Sequence, residues 1–264
     1  MKKNHVRAKL KRGEASIGTW LVLPDPTAAQ LMAGTGFDWL TVEMEHTPTT
    51  VDIAARSFAI VAAHGCCPLA RVPINSVENI KRVLDTGAWG IIVPLVNSRE
   101  EAQAVVDAAR YRPIGKRTIG GQLNASNYGT DTGTYFEKAN DEILVVVMAE
   151  HVKAIEAIDD IVRVPGIDVV FIGPNDLHNS MGKKPVFDSD DKEFNDAVAS
   201  VLKAAKAAGI AAGIHVVNVE QAKRRIAEGF QFIAIGSEAG LMLAKASEIV
   251  KGLGLSSAGA AVKY

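Results

Sequence analysis

Two carboxylates, Glu150 and Asp176, close two short apolar runs, Ile143–Glu150 and Asp168–Asp176. Runs of that length, rich in Val and Ile, predict strands buried on both faces. A charge at the tip of such a strand is costly to desolvate and needs a partner. Two oxygen donors on successive strand ends, with the rest of the shell open, suit Mg²⁺ or Mn²⁺. Asp176 has a second possible role, as the cap of a helical turn at Leu177–Ser180. Zinc fits less well, because His46, His151 and His215 lack compact ligand spacing and Cys66 and Cys67 are adjacent.

Other groups belong to the same chemistry. Arg71 ends the run Pro68–Pro73, where a guanidinium can stabilise a developing enolate or grip a carboxylate. It can equally form an ion pair with Glu43 or Glu45. His46 follows the second apolar run and can exchange protons near neutral pH, although an ordinary loop histidine would look the same. Asp85 falls in the last turn of a predicted helix, where its charge opposes the helix dipole. Orienting a catalytic histidine would explain that placement; a surface aspartate before Gly87 is the plainer reading. The turn Gly173-Pro174-Asn175-Asp176 exposes the N–H groups of Asn175 and Asp176, able to hold an anion, or is a simple β-turn.

The elements that must position these residues alternate regularly. Apolar strands are predicted at Ala15–Leu23, Phe37–Glu43, Cys67–Val72, Gly90–Val96, Ile143–Ala149, Asp168–Ile172, Ile210–Val216 and Gln231–Ile235. Helical periodicity fills Thr27–Gly34, Thr49–Ala63, Val77–Thr86, Arg99–Tyr111, Val152–Val162, Lys192–Ala208, Val219–Ala227 and Glu238–Lys251. Gly36, Gly65, Gly87, Gly166, Gly209 and Gly229 punctuate the helix ends. Eight such units, with no dinucleotide fingerprint after the first strand, predict a single (β/α)8 barrel rather than an open sheet. Its core is expected over about 15–252, with a loose tail over 253–264. The polar stretch Arg112–Glu142 reads as a loop that is functional or ordered by a partner, and Met181–Ser189 is a shorter insertion after the sixth strand with Gly182 and Pro185. In a barrel, the strand ends then bring together Trp20, Glu43 with Glu45 and His46, Arg71, Pro94 with Asn97, Glu150 with His151, Asp176, His215, and Ser237 with Glu238.

Bulk properties narrow the class. The 264 residues are 48% hydrophobic, and 29 Lys and Arg nearly balance 30 Asp and Glu, so nothing points to nucleic acid or an anionic membrane. No secretory signal or membrane-spanning run is evident. Adjacent cysteines rarely pair, so a reduced, cytoplasmic protein is expected.

As an ordered set, Gly18-Thr19-Trp20, Gly36–Leu40, Glu45-His46, Arg71-Val72-Pro73, Leu84–Ala88, Val93–Val96, Glu150 and Phe171–Leu177 resemble the HpcH/HpaI family of class II pyruvate aldolases. The resemblance, from about Gly18 to Gly252, implies a barrel of the phosphoenolpyruvate/pyruvate-binding superfamily. It also implies a hexamer, a trimer of dimers, whose subunits exchange the last helix. It implies Mg²⁺, Mn²⁺ or Co²⁺ on Glu150 and Asp176, with pyruvate chelated through the metal. Arg71 would stabilise the enolate, and His46, oriented by Asp85, would exchange protons through metal-bound water. The expected reaction is reversible cleavage of a 4-hydroxy-2-oxo acid to pyruvate and an aldehyde. Catalytic roles are thus expected for Glu43, His46, Arg71 and Asp85, and substrate contacts for Trp20, Gly173, Pro174, Asn175 and His215.

Four departures surround that set. The family usually has Asp at Glu43, Gln at Met148 and Gly-Ile-Leu-Thr where this chain has Gly213-Ile214-His215-Val216; its Arg-Gly-x-Gly motif appears as Arg117-Thr118-Ile119-Gly120. Two other readings remain open. One is a lyase of the malyl- or citramalyl-CoA or decarboxylating type; the other is a catalytically impaired 2-oxo acid binding protein.

Overall fold

In the computed structural model, which describes residues 1–255, eight parallel strands close into a barrel in chain order. They are β1 (Ser16–Leu21), β2 (Trp39–Glu43), β3 (Cys67–Arg71), β4 (Gly90–Val93), β5 (Leu144–Met148), β6 (Val169–Ile172), β7 (Ala211–Val216) and β8 (Phe232–Ser237). Each lies on a run predicted as strand. The boundaries differ by up to three residues, because pairing stops where the chain turns away at the rim. β4 to β6 are buried throughout, as strands covered by helices must be.

The outer ring comprises α2 (Pro26–Ala33), α3 (Val51–Ala63), α4 (Val77–Asp85), α5 (Arg99–Ala109), α8 (Val152–Glu156), α9 (Ile158–Ile161), α11 (Lys192–Ala208), α12 (Val219–Glu228) and α13 (Glu238–Gly252). Most begin on a side-chain cap, such as Ser76 accepting from Asn79 N–H, which satisfies an otherwise orphaned donor. Gly87 shows why glycine ends a helix here. Its φ is 107°, and a Cβ would lie 2.0 Å from Asn127 Nδ2.

Three helices were not anticipated, and a fourth, α10 (Pro174–Ser180), starts earlier than the helical turn expected at Leu177–Ser180. α1 (His5–Lys11) closes the barrel floor, burying only Val6 and Leu10, too few to announce an amphipathic helix. The predicted loop Arg112–Glu142 contains α6 (Leu123–Asn127) and α7 (Thr132–Glu142). α10 follows β6 directly. The single helix predicted over Val152–Val162 is two pieces, α8 and α9, which meet at Ala157. Beneath the barrel, Asp168 accepts from Arg7 Nε at 2.7 Å, Arg110 Nη2 at 2.6 Å and Val145 N–H at 2.9 Å. These bonds seal the end remote from the strand tips. Most of the tail expected to be loose, residues 256–264, lies outside the described residues.

Candidate active site

β2 and β3 pair with Glu43 beside Arg71, and this register organises one side of the rim. The buried Glu43 carboxylate divides its oxygens. Oε1 accepts from the N–H groups of Glu45 at 2.7 Å and His46 at 3.2 Å, while Oε2 accepts from Arg71 Nε. Glu43 therefore folds the loop after β2 and fixes the guanidinium together. Arg71 Nε also lies 3.4 Å from Glu45 Oε2, and that oxygen is 3.7 Å from His46 Nε2. Burial pushes the Glu45 carboxyl up, an effect opposed by Arg71 and His46. His46 remains 66% exposed, open to exchange with solvent.

The opposite wall comes from β7, β8 and β1. A register shift between Gly18 and Trp20 on the β1–β8 pair re-aims Trp20. Its indole N–H donates to His215 Nδ1 at 2.7 Å, and the Arg71 guanidinium lies 4.8 Å above its ring. Glu238 accepts from the N–H groups of Val22 and Leu23 at 2.9 and 2.7 Å, anchoring the chain just beyond Trp20. Burial, with the positive Arg71 adding to it, pushes the His215 imidazole down to about 3.

At the end of β5, Glu150 is 3% exposed and accepts from Leu95 N–H at 2.8 Å. Leu95 adopts φ 52°, a left-handed conformation that costs a β-carbon residue energy and points this N–H at the carboxylate. Glycine at 173 leaves the Glu150 carboxylate its place, since a Cβ there would lie 2.4 Å from Glu150 Oε2 and displace it. Burial pushes the Glu150 carboxyl up to about 7, helped by the negative Asp176 and Glu45 and opposed by Leu95 N–H and Arg71. Asp176 stands exposed in the first turn of α10. Beside it, Asn175 Oδ1 is buried without a hydrogen-bond partner among the described residues.

These oxygens suit a hard divalent cation: a desolvated carboxylate, an open one and an unpartnered amide oxygen. No group of three or more His, Cys, Asp or Glu side chains able to hold a metal occurs among the described residues. Glu150 and Asp176 are the two carboxylates of this end able to contribute donors.

A cavity of about 550 Å³ gathers Trp20, Glu43, His46, Arg71, His215 and the segment Gly173–Asp176. Glu150 touches its wall at Gly173. Asp85 does not join them. It ends α4, which runs antiparallel to the strands, so its last turn sits at the barrel's other end. There Asp85 accepts from Arg117 Nη2 at 2.7 Å and makes no contact with His46 within the chain. Reasoning from sequence missed Leu95, whose contribution is a backbone N–H, and Phe187, Leu241 and Ala244, which also line the cavity. Only Phe187 left a signal, since it lies in the Met181–Ser189 insertion that breaks the strand–helix rhythm after the sixth strand.

A closed (β/α)8 barrel with carboxylates, an arginine and a histidine around one rim cavity defines a barrel enzyme. The chain belongs to the HpcH/HpaI aldolase/citrate lyase family, which matches residues 16–244, and is a carbon–carbon lyase. It is 36% identical over 245 residues to the 4-hydroxy-2-oxo-heptane-1,7-dioate aldolase of Shigella sonnei, covering 93% of this chain and 92% of that one. It is 33% identical over 247 residues to the hydroxypyruvate/pyruvate aldolase of Rhizorhabdus wittichii, covering 94% and 97% respectively. Among solved structures, an HpcH/HpaI aldolase/citrate lyase family protein from Burkholderia cenocepacia superposes with a TM-score of 0.88 at 29% identity, covering 95% of this chain and 99% of that one. No helix among the described residues is long and apolar enough to cross a membrane.

Proposed function

We propose that this protein is a divalent-metal-dependent class II aldolase that reversibly cleaves a 4-hydroxy-2-oxo acid to pyruvate and an aldehyde. The observation that carries the reading is the Glu150 carboxylate, buried behind Gly173 of the cavity wall and pushed up to about 7, with Asp176 lining the same cavity. Glu150 and Asp176 would hold Mg²⁺, Mn²⁺ or Co²⁺, and the bound cation would supply Lewis-acid polarisation of the 2-oxo group.

The chain's own groups handle charge and protons. Cleavage breaks the C3–C4 bond; its electron pair enters the pyruvate enolate, and the 4-hydroxyl proton leaves as the aldehyde forms. Arg71, pinned by Glu43, faces the developing oxyanion with a guanidinium that needs no reorganisation. His46 takes the hydroxyl proton and returns one to C3, with Glu45 Oε2 3.7 Å from its Nε2. Glu43 has both oxygens engaged and positions these groups rather than reacting. Gly173, Pro174 and Asn175 shape the seat of the oxo acid. The chain acts as one barrel domain in a homo-oligomer, with α13 packed on a neighbouring subunit. Its two cysteines are free and buried, which suits the cytoplasm.

Protein supplied with Mg²⁺ or Mn²⁺ should release pyruvate from 4-hydroxy-2-oxo acids, and EDTA should abolish the release. Full activity in Glu150→Ala and Asp176→Ala would overturn the metal assignment.

A further inference from the structure

The cavity has two unlike halves. One carries the carboxylates and Arg71; the other, formed by β7, β8, β1 and α13, is largely apolar, with Val22, Phe187, Val217 and Leu241 on its surface. Its polar side chains include His215 on β7 and Ser237 on β8, and the Ser237 hydroxyl already accepts from Gly240 N–H at 3.2 Å. An indole N–H can only donate, so the 2.7 Å contact from Trp20 makes His215 Nδ1 the acceptor. A neutral imidazole then carries its one proton on Nε2. That nitrogen has no hydrogen-bond partner among the described residues, nor is it sealed from solvent. Phe187, with its ring centroid 4.8 Å from that of the imidazole, and Trp20, at 6.1 Å with planes 19° apart, hold the ring in place.

We propose that His215 is a specificity-determining hydrogen-bond donor, whose Nε2–H selects acceptor aldehydes bearing an uncharged oxygen, a hydroxyl or second carbonyl, on the carbon chain. This rests on the aldolase reading of the cavity. The oxo acid occupies the carboxylate and Arg71 side, so the acceptor half of the substrate extends toward β7. Its apolar walls accept an uncharged tail, while Nε2–H is left unpaired by one lacking an oxygen. Sites built to hydrogen-bond a hydroxyl discriminate against the analogue without it. Burial beside Arg71 keeps the ring uncharged, consistent with donation to a hydroxyl rather than pairing with a carboxylate.

The test compares pyruvate addition to glyceraldehyde and to propanal. Wild-type protein should favour glyceraldehyde in kcat/KM, and His215→Leu should lower the glyceraldehyde-to-propanal ratio about fivefold to tenfold, the scale of one neutral hydrogen bond. His215→Gln, which keeps an N–H, should retain part of the preference. A ratio within twofold of wild type in His215→Leu overturns the inference. A second measurement does not depend on that variant folding: ¹⁵N NMR of wild-type protein at pH 7 should show His215 protonated on Nε2 alone, and protonation on Nδ1 overturns the inference. Deuterium exchange into the pyruvate methyl separates the two readings. Exchange with an unchanged ratio sinks only the role of His215. Absence of metal-dependent exchange in wild type sinks the aldolase reading, and this inference with it.

Discussion

Glu150 keeps a carboxylate where water scarcely reaches, with one backbone N–H as its partner. Its carboxyl is pushed from 4.5 to about 7, so across that interval the folded chain binds more protons than the unfolded one. The sign follows: stability from this group is full below pH 4.5 and is lost as pH rises through about 7. Metal-free protein should thus lose on the order of 3 kcal/mol between these limits through Glu150. Glu150→Gln should flatten that part of the curve, as measured by urea unfolding in EDTA at pH 5 and pH 8. Equal pH dependence in the two proteins would show that burial does not govern this group. Glu150 could be read from sequence because a charge ending an apolar run has few innocent explanations. Leu95 could not, because it acts through its backbone and any residue has an N–H. The ion pair of Arg71 with Glu43 or Glu45 was open from the sequence, and the β2–β3 register brings both carboxylates to it.

At the scale of elements, the rhythm of apolar strands and helices was legible because each strand is buried and each helix is separately capped. The stretch Arg112–Glu142 was not. α6 has five residues, and α7 buries only Tyr135 and Ala139. What orders the stretch is a long-range interaction. The Arg117 guanidinium is buried, lies 4.7 Å over Tyr111 and donates to Asp85 at the end of α4. This pairing explains an aspartate set against the helix dipole without reference to His46. Asp85→Asn should leave a buried guanidinium without its counter-ion and cost about 2–4 kcal/mol, reduced from the fully buried case because Asp85 is 23% exposed. The double variant Asp85→Asn with Arg117→Met should recover part of the loss in Tm. An unchanged Tm with lost turnover would return Asp85 to the histidine.

For the whole molecule, barrel closure followed from counting strand–helix units, and the structure adds a surface that counting does not reveal. α13 buries only Glu238; from Leu241 to Ile249 every residue is exposed, including Leu241, Met242, Leu243 and Ile249 at 44–56%. An apolar patch of this kind suits a surface that another subunit would cover. Its sequence looked like an ordinary closing helix because amphipathic periodicity does not say which molecule the apolar side meets. Leu241 and Ala244 also line the cavity, so a subunit seated on this helix would bear on the site as well. We therefore expect sedimentation of the wild-type protein at a multiple of the 28.0 kDa chain mass, six for the hexamer that the family resemblance implies. Met242→Asp with Ile249→Asp, two charges placed on the exposed apolar surface, should shift it toward the single-chain mass. Turnover should fall with the oligomer, because a helix without its neighbour no longer holds the cavity wall. A variant that stays assembled and fully active, or a wild-type protein that sediments as one chain, would show that α13 meets no second subunit.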